Sequence, residues 1–213
     1  MAGLKFYHEI RGCSLAVDIT ARELGIALDL QWVDMATKTL ADGTDYHAVN
    51  PKGTVPTLQL PDGQFLSEGS VIMQYLADSE GSGTMLPAPG TIDRLRVLEW
   101  NSFIAADLHK GGFMPLFKAQ TPDTYRDIAV ARICSMMSWI DSVLRSRSYL
   151  AADCFTIADA HCYTIAMWGY VHDIPMGWWP SLEAYLERIG ARASVKAALR
   201  ATHEQAAKVS RKL

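Results

Sequence analysis

The chain has 213 residues and a formal net charge of −3, and its 49% hydrophobic and 20% charged residues are ordinary for a globular protein. A chain of this length can bury one large core or two modest ones. Lys and Arg are mixed with acidic residues throughout, so the basic stripe of a nucleic-acid-binding protein is excluded. The longest apolar-leaning uncharged run, 160–171, is shorter than the ~18 residues that a membrane span requires.

The spacing of the cysteines indicates whether the protein belongs to an oxidising or a reducing compartment. The four cysteines show neither a CxxC pair nor zinc-finger spacing, which disfavours a disulfide framework or a zinc site. The first residues lack the basic head and continuous apolar stretch of a secretory signal. We therefore expect a protein of the reducing cytoplasm. No second ligand accompanies His161 or His172 at metal spacing, and no metal is predicted.

The first eighty residues alternate strand and helix patterns. Apolar and polar residues alternate between Leu28 and Trp32, as in a half-buried strand. Gly25 is placed to end the preceding helix, and Pro61-Asp62-Gly63 separates two short strand-like runs as in a hairpin. The resulting order, β-α-β-α-β-β-α, is that of a thioredoxin-like α/β domain, predicted over residues 1–80.

The remainder of the chain is predicted to be all-helical. Residues 81–90 are rich in Gly and Pro and form the predicted linker. From 91 to 213, Val97, Trp100, Ile104 and Leu108 recur at steps of three and four, as in an amphipathic helix. Further helices are predicted at 122–147, 156–170, 180–189 and 194–207, with the apolar helix 156–170 at the centre.

A cysteine stands where the first strand gives way to the first helix. Gly12-Cys13-Ser14 would place the Cys13 thiol at a helix N-terminus, whose partial positive charge lowers the pKa of a thiol. A lone cysteine is more often a small buried hydrophobe than a reactive group. The interpretation of Cys13 as a reactive thiol therefore depends on the other motifs of the chain.

Two further motifs would suit a peptide ligand. In the run Asn50-Pro-Lys-Gly-Thr-Val-Pro-Thr-Leu58, a cis bond before Pro56 would expose the Val55 amide and carbonyl to an added extended strand. In Ser67-Glu-Gly-Ser70, a hydroxyl and backbone amides at a helix start would bind a carboxylate, and Glu68 would bind an ammonium group. Taken alone, the first motif also fits a tight loop that enters an edge strand, and an ordinary capped helix is the better interpretation of the second.

A third motif is structural. In Phe155-Thr-Ile-Ala-Asp159, Thr156 is a candidate N-cap and Asp159 follows three residues later, which is a capping box that should fix a buried helix start.

These motifs together resemble the glutathione S-transferase family. NPKGTVPTL, SEGSVIMQYLAD and FTIADA look like the family's cis-proline loop, γ-glutamyl site and helix-six motif. Cys13 with Leu108-His109-Lys110-Gly111 narrows the resemblance to the bacterial beta class. The resemblance covers nearly the whole chain. It implies a homodimeric cytoplasmic enzyme of detoxification that uses glutathione as co-substrate and needs no metal.

The resemblance also implies roles for single residues. Cys13 would lie beside the glutathione sulfur, Val55 with cis Pro56 would pair with the cysteinyl unit, and Lys38 would lie near the glycyl end. The γ-glutamyl group would be bound at its amine by Glu68 and at its carboxylate by Gly69 and Ser70. His109 and Lys110 would reach the site from the helical domain, and Trp168 would line the electrophile pocket.

The loop before Cys13 departs from the class pattern. It carries one extra residue and introduces His8, Glu9 and Arg11. Three hypotheses therefore stay open. The first is conjugation of glutathione to small hydrophobic electrophiles, the second is a thiol-disulfide oxidoreductase or peroxidase that uses Cys13 covalently, and the third is a non-catalytic glutathione-binding relative.

Overall fold

The computed structural model describes residues 3–10, 12–81 and 83–210. Outside this set lie Arg11 of the predicted loop, residue 82 of the predicted linker, and residues 1, 2 and 211–213 of the predicted domains. The described residues divide into two compact units. The first contains the described part of 1–82 together with 192–210, and the second contains 83–191. A helix that could span a membrane is not found among the described residues.

A five-stranded mixed sheet is the centre of the first unit. Its strands are β1 Leu4–His8, β2 Leu28–Asp34, β3 Thr39–Leu40, β4 Thr57–Gln59 and β5 Phe65–Ser67. Their order in the sheet is β3-β2-β1-β4-β5. The β1–β2 pair is parallel, as expected for strands joined through a helix, and the β4–β5 pair is the predicted antiparallel hairpin. The thioredoxin-like fold is thereby confirmed, with β3 as an additional short edge strand.

Two α-helices, α1 Leu15–Glu23 and α2 Gly69–Glu80, match the first and last helices of the predicted order, and a 3₁₀ helix, Tyr46–Ala48, takes the place of the middle one. Gly25, with a φ of 70°, ends α1 as predicted. The Ile26 N–H donates to the Ala21 carbonyl at 2.8 Å and the Gly25 N–H to the Arg22 carbonyl at 3.2 Å, which is the Schellman pattern.

The last helix, α9 Ala193–Ser210, belongs with the first unit. It contacts α1, where the Glu23 carboxylate accepts hydrogen bonds from the Arg192 guanidinium and, at 2.5 Å, from the Ser194 hydroxyl. Val195 and Ala198 are fully buried. This grouping differs from the predicted assignment of 91–213 to the helical domain, because the apolar face of α9 is buried against α1.

The second unit is helical. Its elements are α3 Ile92–Phe103, a π-helix Ile104–Phe113, α4 Met114–Phe117, α5 Asp123–Leu144, α6 Ile157–Ala166, α7 Trp168–Val171 and α8 Pro180–Gly190. All ten residues of α6 are buried, which confirms its predicted position at the centre. The predicted helix through 108 is α-helical only as far as Phe103 and continues as the π-helix.

Asp159 fixes the start of α6. Its buried carboxylate accepts hydrogen bonds from the Thr156 N–H at 2.9 Å and hydroxyl at 2.8 Å, the Leu150 N–H at 3.0 Å and the Tyr185 hydroxyl at 3.0 Å. Burial raises the pKa of this carboxyl, while these four donors oppose the rise. The predicted capping box is therefore present and extends to a network that joins α6 to α8.

Candidate active site

Cys13 lies in the turn that opens α1. The helix begins two residues later, at Leu15, with the buried Ser14 as its N-cap. The N–H groups of Leu15, Ala16 and Val17 donate to the carbonyls of residues 12, 13 and 14, respectively. The partly buried Cys13 side chain is not in a disulfide, and its thiol donates to the Val55 carbonyl at 3.7 Å. The turn thus brings Cys13 and Val55 together across 42 residues of sequence.

The loop that carries the extra residue is folded back on itself. The Glu9 N–H donates to the Ser14 hydroxyl at 3.4 Å. The Glu9 side chain packs against Gly12, since a Cβ added to Gly12 would lie 2.5 Å from the Glu9 Oε1 atom. Burial raises the pKa of the Glu9 carboxyl, and the positive charge of Lys38 partly opposes this rise.

The predicted cis bond is present between Val55 and Pro56. The loop before it is held by polar side chains: the Thr54 carbonyl accepts from the Tyr46 hydroxyl at 2.9 Å and from the Asn50 amide at 2.8 Å. Tyr46 is fully buried and Asn50 is nearly so. Among the described residues, the Val55 N–H has no hydrogen-bond partner. The backbone at Val55 is therefore fixed in place, with its amide available to a ligand strand.

Glu68, Gly69 and Ser70 form the start of α2. Glu68, the N-cap, has a φ of 72° although it is not glycine, a strained conformation that is common at ligand-binding positions. Its exposed carboxylate lies 2.5 Å from the Lys52 ammonium. Gly69 lies against Pro56, because an added Cβ would be 3.4 Å from the Pro56 Cγ atom. The positive end of the α2 dipole is thus adjacent to the cis-proline loop.

Lys38 is also bound to this loop. Its ammonium group donates to the Gly53 carbonyl at 2.8 Å, and its φ of 58° turns the chain after β2 back toward the loop. The seven residues predicted for the glutathione site in the first unit, from Cys13 to Ser70, are therefore grouped around one loop and two helix starts.

Two of the three residues predicted in the second unit, His109 and Trp168, belong to an aromatic cluster. His109 is buried in the π-helix, and its ring makes an edge contact with Trp168, with centroids 5.1 Å apart. Phe117 contacts Trp168 at 4.8 Å and His172 at 4.4 Å between centroids. Phe113 packs against both Trp168 and His172. Lys110 lies on the same π-helix and is exposed.

The motif analysis missed Phe113 and Phe117, and it considered His172 only as a metal ligand. A signal for them exists in the sequence, because 109, 113 and 117 are spaced by four residues, as are 168 and 172. Such spacing places side chains on one helix face. His172 carries a pKa lowered by burial and by the positive charge of Arg126, so the neutral imidazole is favoured in this cluster.

Other polar clusters have structural explanations. A cavity of about 340 Å³ is lined by Arg145, Arg147 and Arg188. These guanidinium groups donate to Asp141 and to the Leu150 and Ser148 carbonyls, which ties the end of α5 to α8. Within the described part of the chain, no group of three or more His, Cys, Asp and Glu side chains could hold a metal ion.

Comparison with known proteins agrees with this arrangement of a thioredoxin-like unit and a helical unit. The family model of the glutathione S-transferase N-terminal domain matches residues 12–79, and that of the glutathione S-transferase C-terminal domain matches residues 104–193. The chain therefore belongs to the glutathione S-transferase family and is an enzyme of that family. The resemblance identified from the sequence motifs is confirmed.

Individual relatives cover almost the full length. Glutathione S-transferase GstA of Escherichia coli O157:H7 is 39% identical over 93% of this chain and 98% of its own length. A sphingomonad glutathione S-transferase solved in complex with glutathione is 35% identical with a TM-score of 0.90, covering 93% of this chain and 98% of that one. The bacterial beta class enzyme of Sphingomonas chungbukensis is 35% identical with a TM-score of 0.89 and the same coverage.

Proposed function

We propose that this glutathione S-transferase conjugates the thiol of glutathione to small hydrophobic electrophiles, and that the site around Cys13 and Val55 binds the tripeptide. The observation that carries the proposal is the fixed Val55 backbone beside the Cys13 thiol, with the Val55 carbonyl 3.7 Å from the sulfur. An extended peptide that pairs with Val55 would bring its own central side chain to Cys13. Glutathione carries its thiol at that central position.

The two ends of glutathione would be bound by charges on either side of this pairing. Glu68, exposed at the start of α2, would bind the γ-glutamyl amine, while Gly69 and Ser70 would bind the neighbouring carboxylate at the positive end of the helix. Lys38 would bind the glycyl carboxylate at the opposite end. Glu68 pairs with Lys52 and Lys38 donates to the Gly53 carbonyl, so bound glutathione would compete with these contacts for both side chains.

The residues that contact the second substrate, the electrophile, would come from the helical unit. Trp168, with Phe113 and Phe117, gives a face of aromatic rings suited to a flat hydrophobic electrophile. His109 and Lys110 would contribute polar groups from the π-helix to the glutathione site. Stabilisation of the glutathione thiolate by hydrogen bonds, together with proximity to the electrophile, would account for catalysis.

The finer classification is part of this proposal. Cys13 together with the Leu108-His109-Lys110-Gly111 run supports the beta class, and the likeness to a beta class structure supports it further. We assign the enzyme to a homodimer and to detoxification, following the resemblance, and to the cytoplasm, which suits four cysteines that form no disulfide with one another.

A second candidate chemistry uses Cys13 covalently. Cys13 is a partly exposed thiol outside any disulfide, in the turn that opens a helix, which is the setting of many thiol-disulfide exchange sites. Its thiolate would attack one sulfur of oxidised glutathione, form a mixed disulfide and release the other glutathione as a thiolate. Replacement of Cys13 by Ala separates the two chemistries, because exchange is abolished while conjugation is only weakened.

The test combines binding with adduct formation. Isothermal titration of glutathione into wild type and Cys13→Ala should show binding in both proteins, because most of the proposed contacts come from other residues. Intact mass after incubation with oxidised glutathione should show an adduct on wild type alone. Absence of binding in both proteins would exclude the proposed glutathione site and, with it, the proposed transferase chemistry.

A further inference from the structure

Tyr46 is a fully buried polar residue that the proposed chemistry does not use. It begins the 3₁₀ helix and packs in a small core with Tyr7 and Val33, against which Val55 also packs. A buried hydroxyl costs free energy unless it forms hydrogen bonds. The partners of the Tyr46 hydroxyl therefore indicate its role.

This hydroxyl belongs to a buried network with one consistent direction of donation. The Thr54 carbonyl can only accept, so the Tyr46 hydroxyl donates to it at 2.9 Å. The Thr57 hydroxyl, 2.8 Å from the Tyr46 oxygen, is then the donor to Tyr46. The Asn50 amide donates to the Thr54 carbonyl at 2.8 Å and to the Thr57 hydroxyl at 3.1 Å. The Thr54 carbonyl therefore accepts two hydrogen bonds, and both hydroxyl hydrogens of the network have an acceptor.

The two hydrogen bonds to the Thr54 carbonyl also orient the N–H of Val55. The Thr54 carbonyl and the Val55 N–H belong to the same peptide group, which is planar and trans. In such a group the C=O and the N–H point in opposite directions, so a carbonyl anchored by Tyr46 and Asn50 aims the N–H away from them. This N–H is the group that would pair with glutathione, and no described residue accepts from it.

The backbone of Tyr46 holds a second part of the proposed glutathione site. Its N–H donates to the Lys38 carbonyl at 2.8 Å. Lys38 has a φ of 58°, in the left-handed region, where a residue other than glycine persists only if its surroundings hold it there. Through its two donors, Tyr46 is therefore bound both to the peptide group that presents the Val55 N–H and to the residue that would bind the glycyl carboxylate.

We propose that Tyr46 is a positioning residue for glutathione binding, which fixes the direction of the Val55 N–H and its spacing from Lys38. This inference rests on the proposed function, since it assigns to Tyr46 the alignment of two contacts of that site. A strand that is already ordered binds an extended peptide more tightly, because binding then does not have to order it. Loss of the Tyr46 hydroxyl should therefore weaken glutathione binding without changing the chemical step.

The test begins with Tyr46→Phe, which removes the hydroxyl and keeps the ring in its core. We expect the Kd for glutathione, measured by isothermal titration, to rise about three- to tenfold, the size expected for the loss of one buried hydrogen bond. In turnover with a chlorodinitrobenzene as the electrophile, the KM for glutathione should rise by a similar factor. The kcat at saturating glutathione should stay within about twofold of wild type, since the change affects binding alone.

Tyr185→Phe is the matched control. Tyr185 is likewise fully buried, and its hydroxyl donates to the Asp159 carboxylate at 3.0 Å in the second unit. Its loss should lower stability toward urea but leave the Kd for glutathione unchanged. An unchanged Kd in Tyr46→Phe overturns the proposal. An equal rise in Tyr46→Phe and Tyr185→Phe also overturns it, because general destabilisation would then account for both.

Thr57→Val gives a second route to the same network and decides the question if Tyr46→Phe does not fold. Without the Thr57 hydroxyl, the Tyr46 oxygen loses its donor and the Asn50 amide loses one of its acceptors. We expect the Kd for glutathione to rise about twofold or more. An unchanged Kd in Thr57→Val would count against the network as the element that positions Val55.

Hydrogen exchange in the protein without glutathione separates this inference from the proposed function. The N–H groups of Asn50, Lys52 and Gly53 donate to the Tyr46 carbonyl, the Asn50 side chain and the Asn50 carbonyl, respectively. We expect faster exchange of this segment in Tyr46→Phe than in wild type or Tyr185→Phe, and unchanged exchange would overturn the proposal. Absence of glutathione binding to wild type would contradict the proposed function, whereas faster exchange would still support the fixing of this loop by Tyr46.

Discussion

His8 shows how a single buried side chain can make the stability of the protein depend on pH. Its ring stacks on Trp32 with centroids 3.8 Å apart, and 3% of the residue is exposed. Its Nε2 atom is buried and has no hydrogen-bond partner among the described residues. Burial, assisted by the positive charge of Arg22, lowers the pKa to about 3, so the folded protein holds a neutral imidazole.

We predict that His8→Phe reduces the loss of stability in acid. Unfolded His8 takes up a proton near pH 6.5 and folded His8 only near pH 3, so lowering the pH through this window favours the unfolded state. Phenylalanine retains the stacking and does not titrate. Urea midpoints at pH 7 and pH 4.5 should differ less in His8→Phe than in wild type. An equal difference in both proteins would contradict the prediction, and the exposed His203→Gln is the control.

The residues of the candidate site were predictable to different degrees. The cis-proline loop and the start of α2 were found because proline, glycine and capping residues have strong local preferences. The position of Glu9 could not be predicted, because its contact with Gly12 depends on how an extra residue is accommodated. The partners of Glu68 and Lys38 in the absence of ligand, Lys52 and Gly53, were likewise invisible in sequence.

At the level of elements, the π-helix is the feature that distinguishes the helical unit. It carries His109 and Lys110 and, just before its last residue, a pair of glycines that face α5. An added Cβ on Gly111 would lie 3.1 Å from the guanidinium carbon of Arg132, and one on Gly112 would lie 3.1 Å from Ile133 Cγ1. The π-helix and α5 thus approach closely, and the 2.5 Å pair of Arg132 with Asp107 joins them.

We predict that Gly112→Ala destabilises the protein by about 1–3 kcal/mol, the usual cost of overpacking. The added methyl group would contact Ile133, Met136 and the Asp107 carbonyl at 3.0–3.2 Å. Gly177→Ala is the matched control, since nothing lies within 4 Å of its added Cβ. Chemical denaturation of both variants provides the measurement. Equal stability of the two variants would show that the π-helix can move away from α5.

The helical periodicity of the sequence predicted the helices of the second unit, but it did not predict which segment is an α-helix and which is a π-helix. Steps of three and four residues from Val97 to Leu108 indicate a buried helix face, which the structure confirms. They do not distinguish an α-helix from a wider π-helix, because one turn differs by a single residue. The glycine pair at 111 and 112 was visible, but its role becomes clear only from the packing against α5.

For the molecule as a whole, the placement of α9 changes the division of the chain. Helical periodicity correctly predicted that a helix follows Ser194, but it carried no information about which unit would bury it. The decisive contacts are long-range, between Glu23 and Arg192. Burial alone would raise the pKa of Glu23, yet hydrogen bonds from Arg192 and Ser194 hold it below its ordinary value.

We predict that Val195→Ala weakens the first unit by about 2 kcal/mol, because it removes fully buried methyl groups. Hydrogen exchange followed by mass spectrometry should show lower protection in α1, the helix that α9 contacts. Glu204→Ala, on the exposed side of α9, should leave α1 unchanged. A loss of protection confined to the second unit would contradict this assignment of α9.

Because α9 contacts α1 from the far end of the chain, the two helices of this contact are synthesised at different times. The turn and the loop that carry Cys13 and Val55 leave the ribosome first, but the helix that covers α1 is synthesised after the entire second unit. During translation of residues 83–191, the buried face of α1 has no α9 to cover it. Synthesis of the thioredoxin-like unit therefore begins first, but the unit is completed last, when α9 has been made. While the ribosome translates the helical unit, the apolar face of α1 is exposed in the nascent glutathione transferase.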